Sequence, residues 1–195
     1  MSEILTIKFF EKNTLVVAKS LLGKFLCRRR GRKIIRAMIT EIEAYDGFKD
    51  KASHAARGKT KRNAPMFGPA GYWYVYFTYG MHWMLNVVTG KKGYPAAVLI
   101  RGVQYWGRPT SVGRRTSLRL NGPGRVTKFL KIDKRFNGKF ASRRTGLWIE
   151  DGGVKISKGR IAKGKRVGID YAGPIWSRKK YRFFVKDKRM HVARV

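Results

Sequence analysis

Apolar residues recur at helical spacing in "EKNTLVVAKSLLGKFL", at Leu15, Ala18 and Leu22, with Asn13 placed to cap the helix and Gly23 placed to stop it. The period then changes. "KFLCRR" and "KIIRAMITEIEAY" read as two strands joined by "RGR", the pattern of a hairpin. "DGFKDKASHAARGKTKRNAPMFGPAG" is rich in turn formers and predicts a long loop over a site. The stretch "YWYVYFTYGMHWMLN" (residues 72–86) predicts two further strands broken near "TYGM", and "AAVLIRGV" predicts another. Residues 107–124 are Arg-rich and read as irregular, "GRVTKFLKI" reads as helical, and short strands return in "GLWIEDG", "RVGIDY" and "YRFFVKD". No repeat or linker interrupts the 195 residues, so the pattern predicts one α+β domain over 1–195, with a mostly antiparallel sheet.

Charge changes the picture. Lys and Arg number 45 against 11 Asp and Glu, a formal net charge of +34. Eleven acids cannot neutralise 45 bases, so a polyanionic partner is expected, with nucleic acid ahead of a membrane surface. A hydrophobic fraction of 43% argues for a folded globule. The single cysteine, Cys27, excludes an internal disulfide, and "MSEILTIKFFEKN" has no signal-peptide pattern, which places the expected setting inside the cell. Residues 64–90 lack charged side chains, but their glycines, proline and alternating tyrosines suit strands rather than a membrane span.

Against this basic background four acids, Glu41, Glu43, Asp46 and Asp50, fall within ten residues. Strand alternation puts Ile39, Glu41, Glu43 and Tyr45 on one face, a carboxylate beside a phenol ring. Both glutamates could equally pair with nearby arginines, and that alternative stays open. Two neighbours on one strand do not flank a bond from opposite sides, so one working carboxylate fits better than an acid/base pair. His54, His82 and His191 are isolated, and neither a metal nor another cofactor is expected. Seven aromatic residues crowd residues 72–86, and Tyr79-Gly80 falls at a turn, where a ring can be exposed for insertion between bases.

"TEIEAYDGFKDKASHA", "RNAPMF", "YVYFTYGMHWMLNVV" and "AAVLIRG", in this order, resemble the alkyladenine (3-methyladenine) DNA glycosylase family. "AKSLLGKFL", "NGPGRVTKFLKI" and "RVGIDYAG" extend the likeness from about Phe9 to Val185. Glu-Ala-Tyr followed nine residues after the tyrosine by His is specific as a combination. The resemblance implies a monofunctional enzyme of base excision repair. Such an enzyme flips alkylated or deaminated purines (3-methyladenine, 7-methylguanine, hypoxanthine, ethenoadenine) from double-stranded DNA and hydrolyses the N-glycosidic bond. It implies Glu43 as general base and Arg101 beside the attacked sugar. Tyr45, His54 and Tyr76 would clamp the flipped base, Asn86 would crowd the site of a guanine 2-amino group, and Tyr79 would wedge into the vacated stack. A monomer suffices for one flipped nucleotide. The chain departs from the family where an acidic residue and a proline usually follow the arginine; here Gln104 and Tyr105 stand. The expected architecture is a mostly antiparallel curved sheet with flanking helices and a protruding β-hairpin. A noncatalytic basic nucleic-acid-binding protein and a lysine-based glycosylase/lyase are the competing readings.

Overall fold

In the computed structural model, residues 2–107 and 116–186 are described. The chain opens with β1 (Glu3–Ile4), α1 (Ile7–Phe10) and α2 (Thr14–Leu21). Asn13 caps α2 by accepting a hydrogen bond from the Leu15 N–H at 3.0 Å, and Gly23 leaves it with φ +86°. Val17, Ala18 and Leu21 face the core. Burying a Val or Leu contributes about 1.5–3 kcal/mol against about 1 kcal/mol for a cap, so packing fixes this helix more than capping does.

β2 (Phe25–Arg30) turns at Gly31 into the long β3 (Lys33–Asp46). After the loop come β4 (Trp73–Thr78), β5 (His82–Val88), β6 (Ala96–Gly107) and β7 (Thr116–Asn121). Helix α3 (Pro123–Leu130) precedes β8 (Leu147–Asp151), β9 (Ile161–Gly164), α4 (Gly173–Arg178) and β10 (Arg182–Val185). Among the described residues the strands form one curled antiparallel sheet in the order β1-β8-β2-β3-β6-β5-β4; β7 extends β6, and β10 joins β3 to β9. Helices α2 and α3 pack over β3, β5 and β6.

Two irregularities in the central β3·β6 pair decide which residues leave the core. Ile39 pairs Val103, Glu41 pairs Gly102 and Ile42 pairs Ile100, so Thr40 on one strand and Arg101 on the other are extra residues. Each extra residue reverses the alternation. Ile39 and Ile42, three apart, therefore enter the same core cluster, as do Val103 and Ile100. The simple alternation expected for β3 fails at this point: Ile39 belongs to the core, whereas Glu43 and Tyr45 face the opposite way.

The aromatic stretch divides by strand alternation. Trp73 and Val75 enter the main core, and the Trp73 indole N–H donates to the Leu147 carbonyl at 3.2 Å. Tyr72, Tyr74 and Tyr76 belong to a second cluster on the other face. Two expectations are corrected. "RVGIDY" is not a strand: β9 ends at Gly164, Gly168 takes φ +72° and residues 170–172 form a single 3-10 turn. Within the segment read as irregular, β7 pairs six residues with β6, because Leu118 and Leu120 alternate with Ser117 and Arg119. Residues 108–115 and His191 lie outside the described residues. Residues 64–90 form a loop and hairpin, and no helix among the described residues is long and apolar enough to cross a membrane.

Candidate active site

Four paired residues cross the sheet in one row: Glu43 opposite Leu99, Leu99 opposite Asn86, and Asn86 opposite Tyr74. Cross-strand neighbours share a face. Together they line a cavity of about 860 Å³, a size in the range of small-molecule sites. The loop between β3 and β4 arches over it with Ala52, Ser53 and His54, and residues 167–169 close another side. Glu43, Arg101, Tyr45, His54, Tyr76, Asn86 and Tyr79 all line this one cavity.

Glu43 is fully buried and held by two hydrogen-bond donors and one ion pair. The Val167 backbone N–H donates to Oε1 at 2.8 Å, the Tyr45 hydroxyl donates to Oε2 at 3.0 Å, and Arg101 Nη1 lies 3.6 Å from Oε1. Burial nevertheless dominates and raises the Glu43 pKa; Arg101, Val167, Tyr45 and Arg166 pull it down by less. Desolvation therefore outweighs the surrounding basic charge at this carboxylate. The Arg101 charge is the strongest of the opposing pulls, and the loss of hydration is larger still. Burial and the Glu43 carboxylate push the Tyr45 pKa well up, which keeps its hydroxyl protonated as a donor.

Arg101 is shared. Its Nε donates to Glu41 Oε1 at 3.1 Å, and Arg182 reaches the same oxygen at 3.3 Å. Glu41 thus belongs to a three-member ion cluster, whereas Glu43 combines an ion pair with a place on the cavity wall. Gly102 allows this approach, since a Cβ there would meet the Glu41 Cβ at 3.0 Å. Gln104 donates to Ser117 Oγ at 2.6 Å, and Tyr105 packs on Phe129, so the atypical pair has partners in β7 and α3.

The rings occupy distinct positions. His54 and Tyr76 meet edge-on with centroids 4.6 Å apart, and Tyr74 lies 5.1 Å from Tyr76. His54 is an exposed residue, and its Nδ1 shares a 2.9 Å hydrogen bond with the Tyr74 hydroxyl. Desolvation of the imidazole, then the nearby Arg62 charge, lowers its pKa and favours the neutral form. Asn63 fixes this loop by donating to the carbonyls of His54 at 2.8 Å and Gly58 at 2.9 Å. Asn86, buried, donates to the Tyr74 carbonyl at 3.1 Å. Tyr79 stands at the tip of the β4–β5 hairpin, 79% exposed, with φ +52° followed by Gly80 at +65°. Two successive positive φ angles suit the tight turn of a twisted hairpin.

Several contributors were not legible in the sequence. Arg166 supports the back of Tyr45 at 4.8 Å from its ring centroid, and Arg62 lies over Tyr76 at 5.1 Å. The Val167 contact is made by backbone and leaves no side-chain signature. Cys27 is buried, and burial pushes its thiol pKa up, in keeping with a packing role.

Comparison with known proteins gives a consistent result. The pattern that defines the family described as Methylpurine-DNA glycosylase matches residues 8–189. A protein of Borrelia garinii subsp. bavariensis is 41% identical over 185 residues, covering 93% of this chain and 95% of its own. One of Legionella pneumophila is 39% identical over 179 residues, covering 92% of each. One of Myxococcus xanthus is 40% identical over 190 residues, covering 95% of this chain and 91% of its own. All three bear the name "Putative 3-methyladenine DNA glycosylase".

Proposed function

Because this chain belongs to the methylpurine-DNA glycosylase family, DNA-repair hydrolases that act on N-glycosyl bonds, we propose that it excises alkylated or deaminated purines from duplex DNA by Glu43-directed attack of water. One observation carries the reading: a buried carboxylate, oriented by two hydrogen bonds and an ion pair, faces a ring-lined cavity large enough for a nucleobase.

In the proposed reaction the damaged nucleotide leaves the stack and its base enters between Tyr45 on one side and His54 and Tyr76 on the other. Flipping costs a few kcal/mol, least for a damaged or mispaired base. Tyr79 fills the gap left behind. A purine alkylated at N3 or N7 is already cationic and leaves readily. Stacking on aromatic faces favours that cation by about 0.5–2 kcal/mol over a neutral ring. As the bond from C1′ to the purine nitrogen lengthens, positive charge grows on the sugar and the carboxylate stabilises it. Water adds at C1′, the bonding electrons leave with the purine, and the water proton passes to Glu43. The upward pull of burial on Glu43 moves its pKa toward the range useful to a general base. Arg101 orients the carboxylate. Asn86 disfavours an unmodified guanine by occupying the space of its 2-amino group. Hypoxanthine is neutral, so its departure with the bonding electrons requires protonation of the ring or strong hydrogen bonding to it, with shape contributing. The protein acts as a monomer, one cavity serving one nucleotide.

The test is Glu43→Gln on duplexes carrying hypoxanthine or 7-methylguanine. Lesion binding should persist while base release disappears; undiminished release would remove Glu43 as the base. Lys51 also lines the cavity, so borohydride treatment during turnover separates water from an amine as nucleophile. No covalent DNA adduct is expected, and a trapped adduct would favour lysine chemistry instead.

A further inference from the structure

The pocket leaves much of the positive charge unexplained. One concentration of it lies at the other end of β3. Three segments distant in sequence meet around Arg28. Its Nε donates to the Leu130 carbonyl at 3.2 Å, its Nη1 to the Gly146 carbonyl at 3.2 Å, and its guanidinium covers Phe136 at 4.6 Å. The Arg29 N–H also donates to Gly146 at 2.9 Å. Around this anchor the side chains of Arg29, Arg30, Arg32 and Lys33 are exposed, and Arg135 and Arg144 reach solvent beside them. Asp133, the nearby acid, is held by Arg135 through contacts of 2.9 and 2.8 Å. Burial, then repulsion from Arg135 and Arg30, lowers the Arg28 pKa, and Asp133 opposes them.

Lys33 lies ten residues before Glu43 on β3, roughly 30 Å away at the rise of an extended strand. That separation is close to one turn of B-form duplex, about 34–36 Å. Flexible cations on an exposed turn suit phosphates, which need point charges and little shape. We propose that the cationic cluster at the β2–β3 turn is a second phosphate-binding surface that holds undamaged duplex DNA, separate from the lesion pocket. It rests on the reading that the pocket receives the lesion. Its function is to keep the enzyme on DNA while the pocket is empty. The phosphates come from the flanking arm of the same duplex or from another duplex.

The test replaces Arg29, Arg32, Lys33 and Arg144 together by Gln. On an undamaged duplex of about 30 base pairs, affinity should fall about tenfold or more, and the salt dependence should flatten by about 0.9 in log–log slope for each phosphate no longer neutralised. On a lesion duplex of about 11 base pairs, one turn long, base release should stay within about twofold of the parent. The charge-preserving variant Arg29→Lys, Arg32→Lys, Arg144→Lys should retain the parent slope. With the short lesion duplex already bound, capture of a separate labelled duplex by the parent but not the Gln variant assigns the surface to a second duplex. Loss confined to the long duplex, without such capture, assigns it to the flanking arm. An unchanged slope on the long duplex would overturn the proposal, as would equal losses on both lengths. So would loss of binding to phosphatidylglycerol vesicles with DNA affinity intact. Binding to undamaged DNA requires no base release, so a wrong assignment of Glu43 leaves this test standing.

Discussion

Arg166 and Asp50 form a buried two-point ion pair, with Nη1 2.5 Å from Oδ2 and Nη2 2.8 Å from Oδ1. Arg166 Nη1 also donates to the Ala44 carbonyl at 2.8 Å, and Asp50 accepts from the N–H groups of Asp46 and Ala52, each at 3.1 Å. The pair therefore ties the end of β3 to both loops that wall the cavity. Asp50→Asn leaves the guanidinium buried without a counter-ion, a change that costs about 3–5 kcal/mol. In a chain of this size the melting temperature should fall by about 10 °C, at about 2–4 °C per kcal/mol. Calorimetry measures it, and a shift below about 2 °C would deny the pair its structural weight.

Glu43 gives a dependence on pH. Its pKa is higher folded than unfolded, so the native state holds the proton more tightly and ionisation of this group disfavours folding. The penalty is present above the folded pKa and fades as pH falls through that value. Glu43→Gln should therefore be more stable than the parent near about pH 7, and the advantage should shrink toward about pH 4. Urea unfolding at both values decides the matter; an advantage that grows on acidification would contradict it. In the parent, the ascending limb of base release against pH should have its midpoint above the ordinary glutamate value.

Tyr79 separates function from stability. A non-glycine residue at positive φ carries a cost of about 1–2 kcal/mol that glycine avoids, offset in part by the greater freedom glycine has when unfolded. Tyr79→Gly should keep the melting temperature of the parent. Hypoxanthine excision from duplex DNA should fall about tenfold or more, a loss of about 1.4 kcal/mol or more in transition-state stabilisation. Excision from single strands, which need no flipping, should change much less. Equal losses on both substrates would argue against a wedge.

Asn63 acts at one remove from the pocket. Its side chain donates to two carbonyls and accepts from the Thr60 N–H at 2.7 Å. Asn63→Ala leaves these groups unpartnered at about 1–3 kcal/mol and loosens the turn that carries His54. Lesion binding should weaken more than undamaged binding, and exchange protection at residues 54–58 should drop. Unaltered protection there would exclude a bracing role.

Strand-period reading and the family resemblance together named seven residues that line the cavity, Glu43, Tyr45, His54, Tyr76, Tyr79, Asn86 and Arg101, and alternation alone puts Glu43 and Tyr45 on one face of their strand. Asn13, Gly23 and the turns at Gly31 and Gly80 were legible for the same local reasons. The places of Thr40 and Arg101 as extra residues in their strands were not, since such a residue changes no composition and shows itself only in pairing. Val167 was hidden for a related reason: its backbone N–H does the work, within a segment whose apolar residues imitate a strand. The Arg166–Asp50 pair spans 116 positions, and among 45 basic residues nothing local marks the one whose partner is Asp50.

The doubled irregularity at Thr40 and Arg101 has an evolutionary consequence. It divides β3 and β6 into two lengths whose inward and outward positions are set independently. Removing Thr40 alone would slip the lower length by one place and exchange buried for solvent-facing residues there, with Arg101 left unmatched. A compensating deletion in β6 would have to accompany it. Insertions and deletions in this lineage should therefore concentrate in the loops and spare these two positions, or strike them together.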